Sequence, residues 1–366
     1  MPRPSVSPIG PASEIPENTQ RPARLGPSSP SLRHPILWTD MGDPATPPSG
    51  FETARAVQLV VGNVERVIAG NTAAVRAAVL CLLSGGNLLL EGVPGVGKTT
   101  LAKALARSIG GTFNRVQATP DLLPSDLTGV SVYHQERGEF EFVPGPIFAN
   151  VVLVDEVNRA TPRTQSALLE PMEERQVTAD GVTRPLPDPF FLVATENPVE
   201  HHGIYPLPEG QLDRFAMAVP VGYPGRDEAR DVVTRQLLQH PMEDLQPVLA
   251  PADVARYRRA VRAVHVAPGV VEYVLRLVEA TREHPDVTLG ASPRAGVVLT
   301  RCSQAHAASS GRDFVLPDDV KSLAADVLGH RLIMAAGRRA GSEAGREVVG
   351  EVLEQVAVPL ESAGRA

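Results

Sequence analysis

Three short clusters carry residue types that could do chemistry together. At 87–101 the chain reads NLLLEGVPGVGKTTL, in which Gly92, Gly97, Lys98 and Thr99 fill the pattern G-x-x-x-x-G-K-[ST] without a gap. The segment Gly92, Val93, Pro94, Gly95, Val96, Gly97 has three glycines, which let successive backbone N–H groups face one concavity that can hold phosphate oxygens. Lys98 can then reach the outer phosphates and the Thr99 hydroxyl can take a Mg²⁺ coordination position. Thr100 follows in the first helical turn, whose dipole adds positive potential. The chain has only three lysines among 35 basic residues, so composition alone would seldom put one here.

The second cluster is VVLVDE at 151–156, where two carboxylates end an apolar run. Asp155 is placed to hold Mg²⁺, usually through water, and Glu156 to orient or deprotonate an attacking water. The third is ATENP at 194–198, in which Asn197 can offer an amide to the terminal phosphate or to that water. Singly, a glycine turn, a capping acid or an Asn-Pro turn is ordinary. In series they predict Mg²⁺-dependent hydrolysis of a nucleoside triphosphate.

These residues need a scaffold that brings strand ends together. Short strands are expected at 88–90, 113–117, 151–154, 190–194 and 216–219, alternating with helical patterns, and VVLV and FFLVA are apolar on both faces, as strands buried in a parallel sheet are. The pattern predicts a doubly wound α/β core with its ligand at the carboxyl ends of the strands. Helical periodicity precedes it, with Val57, Val60, Val61, Val64 and Val67 and then a second run over 73–83. The helix after the glycine turn should run from about Lys98 to Ile109 and stop at Gly110-Gly111. Past Tyr223-Pro224-Gly225 the strands should stop and a smaller helical domain follow. The resulting division is 1–50 as a disordered proline-rich tail, 51–225 as the nucleotide-binding domain, 226–340 as the helical domain and 341–366 as a C-terminal helix and tail. The apolar face Val348, Val349, Val352, Leu353 and Val356 of that last helix suits packing on the helical domain.

Composition narrows the class. A net charge of −7 and a pI near 5.8 leave no electrostatic footprint for nucleic acid. Cys81 and Cys302 lie in apolar helical patterns, as buried free thiols of a reducing compartment do. No secretory signal or membrane span is legible, so a cytoplasmic location is expected. The first 50 residues hold about a dozen prolines and cannot bury enough apolar surface to offset their ordering entropy. Trp38 should be a mobile residue of that tail, and Met41, followed by Gly42, offers an internal start.

Over about 56–335 the chain resembles the MoxR-type AAA+ ATPases, relatives of the magnesium-chelatase ATPase subunit. The resemblance rests on EGVPGVGKT, TPDLLPSDLTG (119–129), FVPGPIFANVVLVDEVNRA (142–160), ATENP, YPLPEGQLDRF (205–215) and GASPRA (290–295). It implies an AAA+ core with a smaller helical lid, Lys98 and Thr99 as Walker A, Asp155 and Glu156 as Walker B, and Asn197 as sensor 1. It also implies that Arg214 is the finger reaching the nucleotide of a neighbouring subunit and that Arg294 is sensor 2 from the lid. By spacing alone Arg214 could equally be a surface ion pair and Arg294 a solvated arginine; Ser292 as cap and Pro293 at the first helical position put Arg294 in the first turn. Asp213 should orient a loop.

A finger supplied in trans implies a homo-oligomeric ring, a hexamer by family habit. The usual partners of such rings are client proteins with a von Willebrand A-type domain, remodelled or matured at the expense of ATP. Two segments, 131–142 around Arg137-Gly138 and 176–189 around Asp180-Gly181, read as hairpins on their own terms; in relatives such hairpins lie near the pore. The loop 67–70 (VIAG) sits where an adenine could be held.

The sequence departs from the family at Glu196, where glutamine is usual, and at Pro171, which should kink a helix expected over about 162–176. His201-His202 lacks further ligands at metal-binding spacing and reads as solvated loop. Two other readings share the motifs. One is a nucleotide-regulated scaffold of slow turnover; the other is a DNA-translocating ring motor, against which the acidic balance weighs.

Overall fold

A computed structural model describes residues 48–197, 203–238, 241–335 and 341–358. The expectations for the tail before residue 48, for Trp38 and Met41, and for His201-His202 lie outside the described residues.

Ser49 caps the first helix, α1 (Gly50–Glu65), in a reciprocal capping box with Glu52, and α2 (Thr72–Ser84) ends on left-handed Gly85. Then come β1 (Leu88–Glu91), α3 (Lys98–Ser108), β2 (Phe113–Gln117), α4 (Pro124–Thr128), the hairpin β3 (Gly129–His134) and β4 (Glu139–Pro144), and β5 (Val151–Asp155). Helices α5 (Pro162–Ser166) and α6 (Leu169–Glu174), the hairpin β6 (Gln176–Ala179) and β7 (Val182–Pro185), β8 (Phe191–Glu196), α7 (Glu209–Leu212) and β9 (Met217–Pro220) complete the sheet region.

Strands β2, β5, β8, β1 and β9 form, in that order, one parallel sheet. Register pairs Leu88 with Val193 and Met217, and Val151 with Phe113 and Phe191. Because side chains alternate across a strand, Leu89, Val152, Val154, Leu192 and Ala194 share one face, where they cluster with Leu127, Leu168 and Met172. Every residue of β5 is buried, as the unbroken apolar run predicts.

The helix expected over 162–176 is two helices. Pro171 falls in the first turn of α6, where its missing N–H has no intrahelical partner to lose, and the break after Ser166 spares the clash its ring would make with the fourth carbonyl upstream. The helix is thus interrupted, as expected, by a break between Ser166 and Leu169 just ahead of Pro171.

The rest is helical: α8 (Arg226–Leu238), α9 (Pro251–Ala263), α10 (Pro268–Glu283), α11 (Pro293–Ser309), α12 (Pro317–Leu328) and α13 (Ser342–Gln355). Strand formation does not cease after residue 225, since β10 (Val287–Leu289) pairs antiparallel with β11 (Ile333–Met334). Segments of two and three residues are too short to show a period of two. Val348, Val349 and Val352 of α13 are buried, and the helix packs on α10 and α12. Asp213, just past α7, accepts from Arg331 Nε at 2.9 Å and from Ser292 Oγ at 3.3 Å, so it holds the sheet region to the helical layer. Both cysteines are buried and free.

Candidate active site

Gly92 leaves β1 with its N–H donated to Glu196 O at 3.2 Å, and a Cβ there would stand 2.4 Å from Val221 O. No other residue fits that approach without moving backbone. Gly95 and Gly97 have φ of +85° and +95°, and left-handed Gly97 turns the chain straight into α3. The first-turn N–H groups of α3 have no intrahelical partner, so the helix start is an anion cradle. Lys98 stretches back over the turn, donating to Gly92 O and, at 3.2 Å, to Glu196 O. Burial lowers its ammonium pKa, while Asp155, Glu156 and Glu196 push it back up.

Asp155 closes the other side. Its Oδ2 accepts from Thr99 Oγ1 at 3.0 Å and from Arg115 at 3.0 Å (Nε) and 2.7 Å (Nη2), and its Oδ1 accepts from Thr195 Oγ1 at 2.6 Å. Burial raises this carboxyl, but the hydrogen bonds from Thr195, Arg115 and Thr99 outweigh it and hold the group below the usual carboxylate range. A hydroxyl and a carboxylate in contact form the hard-oxygen pair that suits Mg²⁺. Glu156 turns into the left-handed region at φ 55°, a strained conformation held by its N–H donating to Thr195 Oγ1 at 2.8 Å. Gln117 Nε2 at 2.9 Å and Arg159 Nη1 at 3.2 Å fix its carboxylate.

A cleft of about 320 Å³ gathers Pro94, Gly95, Gly97, Lys98, Thr99, Thr100, Asp155, Glu156 and Asn197 of the expected residues, together with Arg115, Gln117 and Thr195. Gly92, Val93 and Val96 belong to the same turn behind that wall. Loop 67–70 is not part of the lining, although Ile68 Cδ1 lies 3.6 Å from where a Gly97 Cβ would stand.

Arg214 and Arg294 are not in this cleft. Both ion-pair with Glu173, Arg214 Nε at 3.2 Å and Arg294 through Nη1, and Arg294 Nε lies 3.8 Å from Asp213. Sequence reasoning missed Arg115, Gln117 and Thr195. The signal was there for two of them: β2 reads FNRVQ, and polar residues two apart share the face of a strand whose register sets Gln117 beside Asp155.

Glu196, the departure from glutamine, pairs in register with Glu91 of β1. Burial and the Glu91 charge push its carboxyl up to about 7, against the pull of Lys98. Glu91 is itself raised by burial and accepts from Ser342 of α13.

Comparison with known proteins agrees with this geometry. Residues 87–217 match the family described as "ATPase family associated with various cellular activities (AAA)", and residues 279–354 match the AAA lid domain. "Chaperone MoxR1" of Mycobacterium tuberculosis is 41% identical over 326 residues, 86% of each chain. The chain belongs to the MoxR-type AAA+ ATPases. "Protein MoxR" of Paracoccus denitrificans is 32% identical over 293 residues, covering 74% of this chain and 86% of that one. A crystal structure of a candidate ATPase from Cytophaga hutchinsonii superimposes with a TM-score of 0.78 at 37% identity, over 85% of this chain and 97% of that one. Membership in this family brings nucleotide binding with it, and the match to the AAA lid domain takes in the last turn of α10, α11, α12 and nearly all of α13. Among the described residues, no helix is long and apolar enough to cross a membrane.

Proposed function

We propose that the cleft hydrolyses ATP with Mg²⁺ in a closed homo-oligomeric ring, a hexamer by family habit, and that turnover remodels a client protein in the cytoplasm. The observation that carries the reading is a division of labour. Lys98, Thr99, Asp155, Glu156 and Asn197 meet around one cleft, while Arg214 and Arg294 share Glu173 outside it. Within the cleft the backbone turn and Lys98 grip the phosphates, and Glu156, held by Gln117 and Arg159, orients the attacking water and takes its proton. Asn197 holds that water or the terminal phosphate from β8. When bound, Mg²⁺ on Thr99 and Asp155 neutralises charge on the outer phosphates. The two arginines outside the cleft fit a role in a neighbouring protomer's site, with Arg214 as the finger.

A protein client is supported by the hairpin β3–β4, which exposes Val130, Val132, Tyr133 and Phe140 and has few positive charges for nucleic acid. Arg184 of β7 stacks on Phe142 at 3.7 Å and Ser131 bonds Asp180, so the two hairpins touch one another. A partner with a von Willebrand A-type domain is the class this reading favours.

Phosphate release from ATP and Mg²⁺, followed over a range of protein concentration, tests the reading. Turnover should be lost in Glu156→Gln and partly restored by mixing Lys98→Ala with Arg214→Ala protomers, since each supplies what the other lacks. Equal turnover in the wild-type chain and Glu156→Gln would leave a nucleotide-regulated scaffold, and no restoration on mixing would place the finger elsewhere.

A further inference from the structure

A second cleft, of about 340 Å³, lies at the amino ends of the strands, where the β6–β7 hairpin is rooted. Arg175 enters it from the turn before β6, Asp188 from the segment after β7, and Arg258, Arg259 and Arg262 from α9. Four guanidiniums thus face one carboxylate, in a chain whose net charge is −7.

Two of the four are built in. Arg175 Nη1 donates to Phe190 O at 2.6 Å and its Nη2 to Gly85 O, from a backbone held at φ 57°. Arg258, whose side chain is 11% exposed, donates from Nε to Leu82 O at 2.8 Å and from Nη2 to the same Phe190 O at 3.3 Å. Burial depresses the Arg258 guanidinium to about 10, with repulsion from Arg175 and Arg262 adding to the shift against the pull of Asp188. Asp188 offers little return: it stands 3.7 Å from Arg258 Nη1 and is 76% exposed. At the rim, the Arg259 and Arg262 side chains are exposed and have no hydrogen-bond or ion-pair partner among the described residues.

Holding like charges together in a partly desolvated cleft costs free energy unless an anion completes it. Guanidinium forks match carboxylate and phosphate oxygens two at a time, and the carbonyls of Phe190, Leu82 and Gly85 fix the two inner forks before any ligand arrives. We propose that this cleft binds a small multivalent oxyanion, whose phosphate or carboxylate groups are held by Arg175, Arg258, Arg259 and Arg262. Its occupant ties α9 to the root of the β6–β7 hairpin. The site stands apart from the nucleotide cleft and does not depend on hydrolysis there.

The test is a calorimetric titration of the full chain carrying Lys98→Ala, which weakens competing phosphate binding at the glycine turn. Pyrophosphate is the probe in one arm and citrate in the other, both without Mg²⁺ and with NaCl at matched ionic strength as the blank. Saturable binding is expected in at least one arm, and the arm that binds identifies phosphate, carboxylate or both as the ligand chemistry. Affinity should fall at least tenfold in Arg259→Glu/Arg262→Glu, a pair of surface changes whose folding is checked by melting without anion. No saturable heat in either arm, or equal affinity in the double variant, overturns the proposal.

Discussion

Strand β8 joins two clefts that treat charge in opposite ways. At its carboxyl end Asp155, Glu156 and Glu196 surround Lys98, and each acid is held by a donor or kept from ionising. At its amino end four guanidiniums gather, two of them braced on backbone carbonyls and one beside a single exposed acid. The first arrangement suits a ligand that is itself mixed, a polyanion carrying a divalent cation, because the extra acids need the metal as much as the lysine needs the phosphates. The second suits an anion alone. Charge balance within a cleft thus says something about its ligand that shape does not.

The largest effect should come from breaking the mixed cleft. Lys98→Ala should lower ATP turnover by about a thousandfold or more, the cost of losing a preorganised cation at the transferring phosphate. Glu156→Gln should cost a similar factor while leaving ADP affinity within a few-fold of the wild type. At the other end of β8, Arg259→Glu/Arg262→Glu should leave both turnover and ADP affinity within about twofold. Loss of turnover in that pair, measured by phosphate release, would mean that the two clefts are one system.

Glu196 sharpens the comparison because it is an acid the mixed cleft does not want charged. Its carboxyl sits at about 7 when folded, against 4.5 ordinarily. The folded chain therefore holds this proton up to a pH at which the unfolded chain has lost it. The stability tied to Glu196 is complete below 4.5 and is lost as pH rises through about 7. Glu196→Gln should stabilise the protein at pH 8, by up to ~3 kcal/mol, and the gain should vanish near pH 5. Thermal melts at the two pH values check this; a gain that does not change with pH would trace to shape instead.

How much of this was legible in the sequence follows the same division. The mixed cleft is assembled from contiguous runs, since a glycine turn and a pair of acids at a strand end each need neighbours in sequence, and the central strands β1, β5 and β8 show as apolar runs. Arg115 escaped because its partner, Asp155, is forty residues away and only register brings them together. The arginine cleft was illegible for a stronger reason. Arg175 follows a helix, Asp188 a hairpin, and Arg258 and Arg262 lie on α9, so no stretch of sequence contains the site. Pro171 was legible as an interruption, but the place of the break was not: it falls after Ser166, a turn ahead of the proline, because the ring fits its own first turn and conflicts only with the turn before.

A smaller effect is expected at Arg115, which shares Asp155 Oδ2 with Thr99. If the guanidinium competes with Mg²⁺ for that oxygen, Arg115→Gln should lower the Mg²⁺ concentration needed for half-maximal ADP binding by about three- to tenfold, ~1 kcal/mol. Fluorescent-ADP titrations at graded Mg²⁺ measure it. A requirement for more Mg²⁺ would show that Arg115 aims the carboxylate at the metal.

The smallest effect tests the sign of the comparison at the arginine end. Arg262 adds to the repulsion felt by Arg258 and Arg175 from an exposed position. Arg262→Gln should therefore raise the melting temperature slightly, by about 1 °C in low salt, where an ordinary surface change moves stability by a few tenths of a kcal/mol in either direction. In about 1 M NaCl the gain should disappear, because the screening length falls to about 3 Å. Saturating pyrophosphate should reverse the order, since an anion that binds only the folded chain stabilises the wild type by more than the variant that holds it less well. A variant that stays the more stable one with pyrophosphate present would mean that the four cations repel one another without recognising anything.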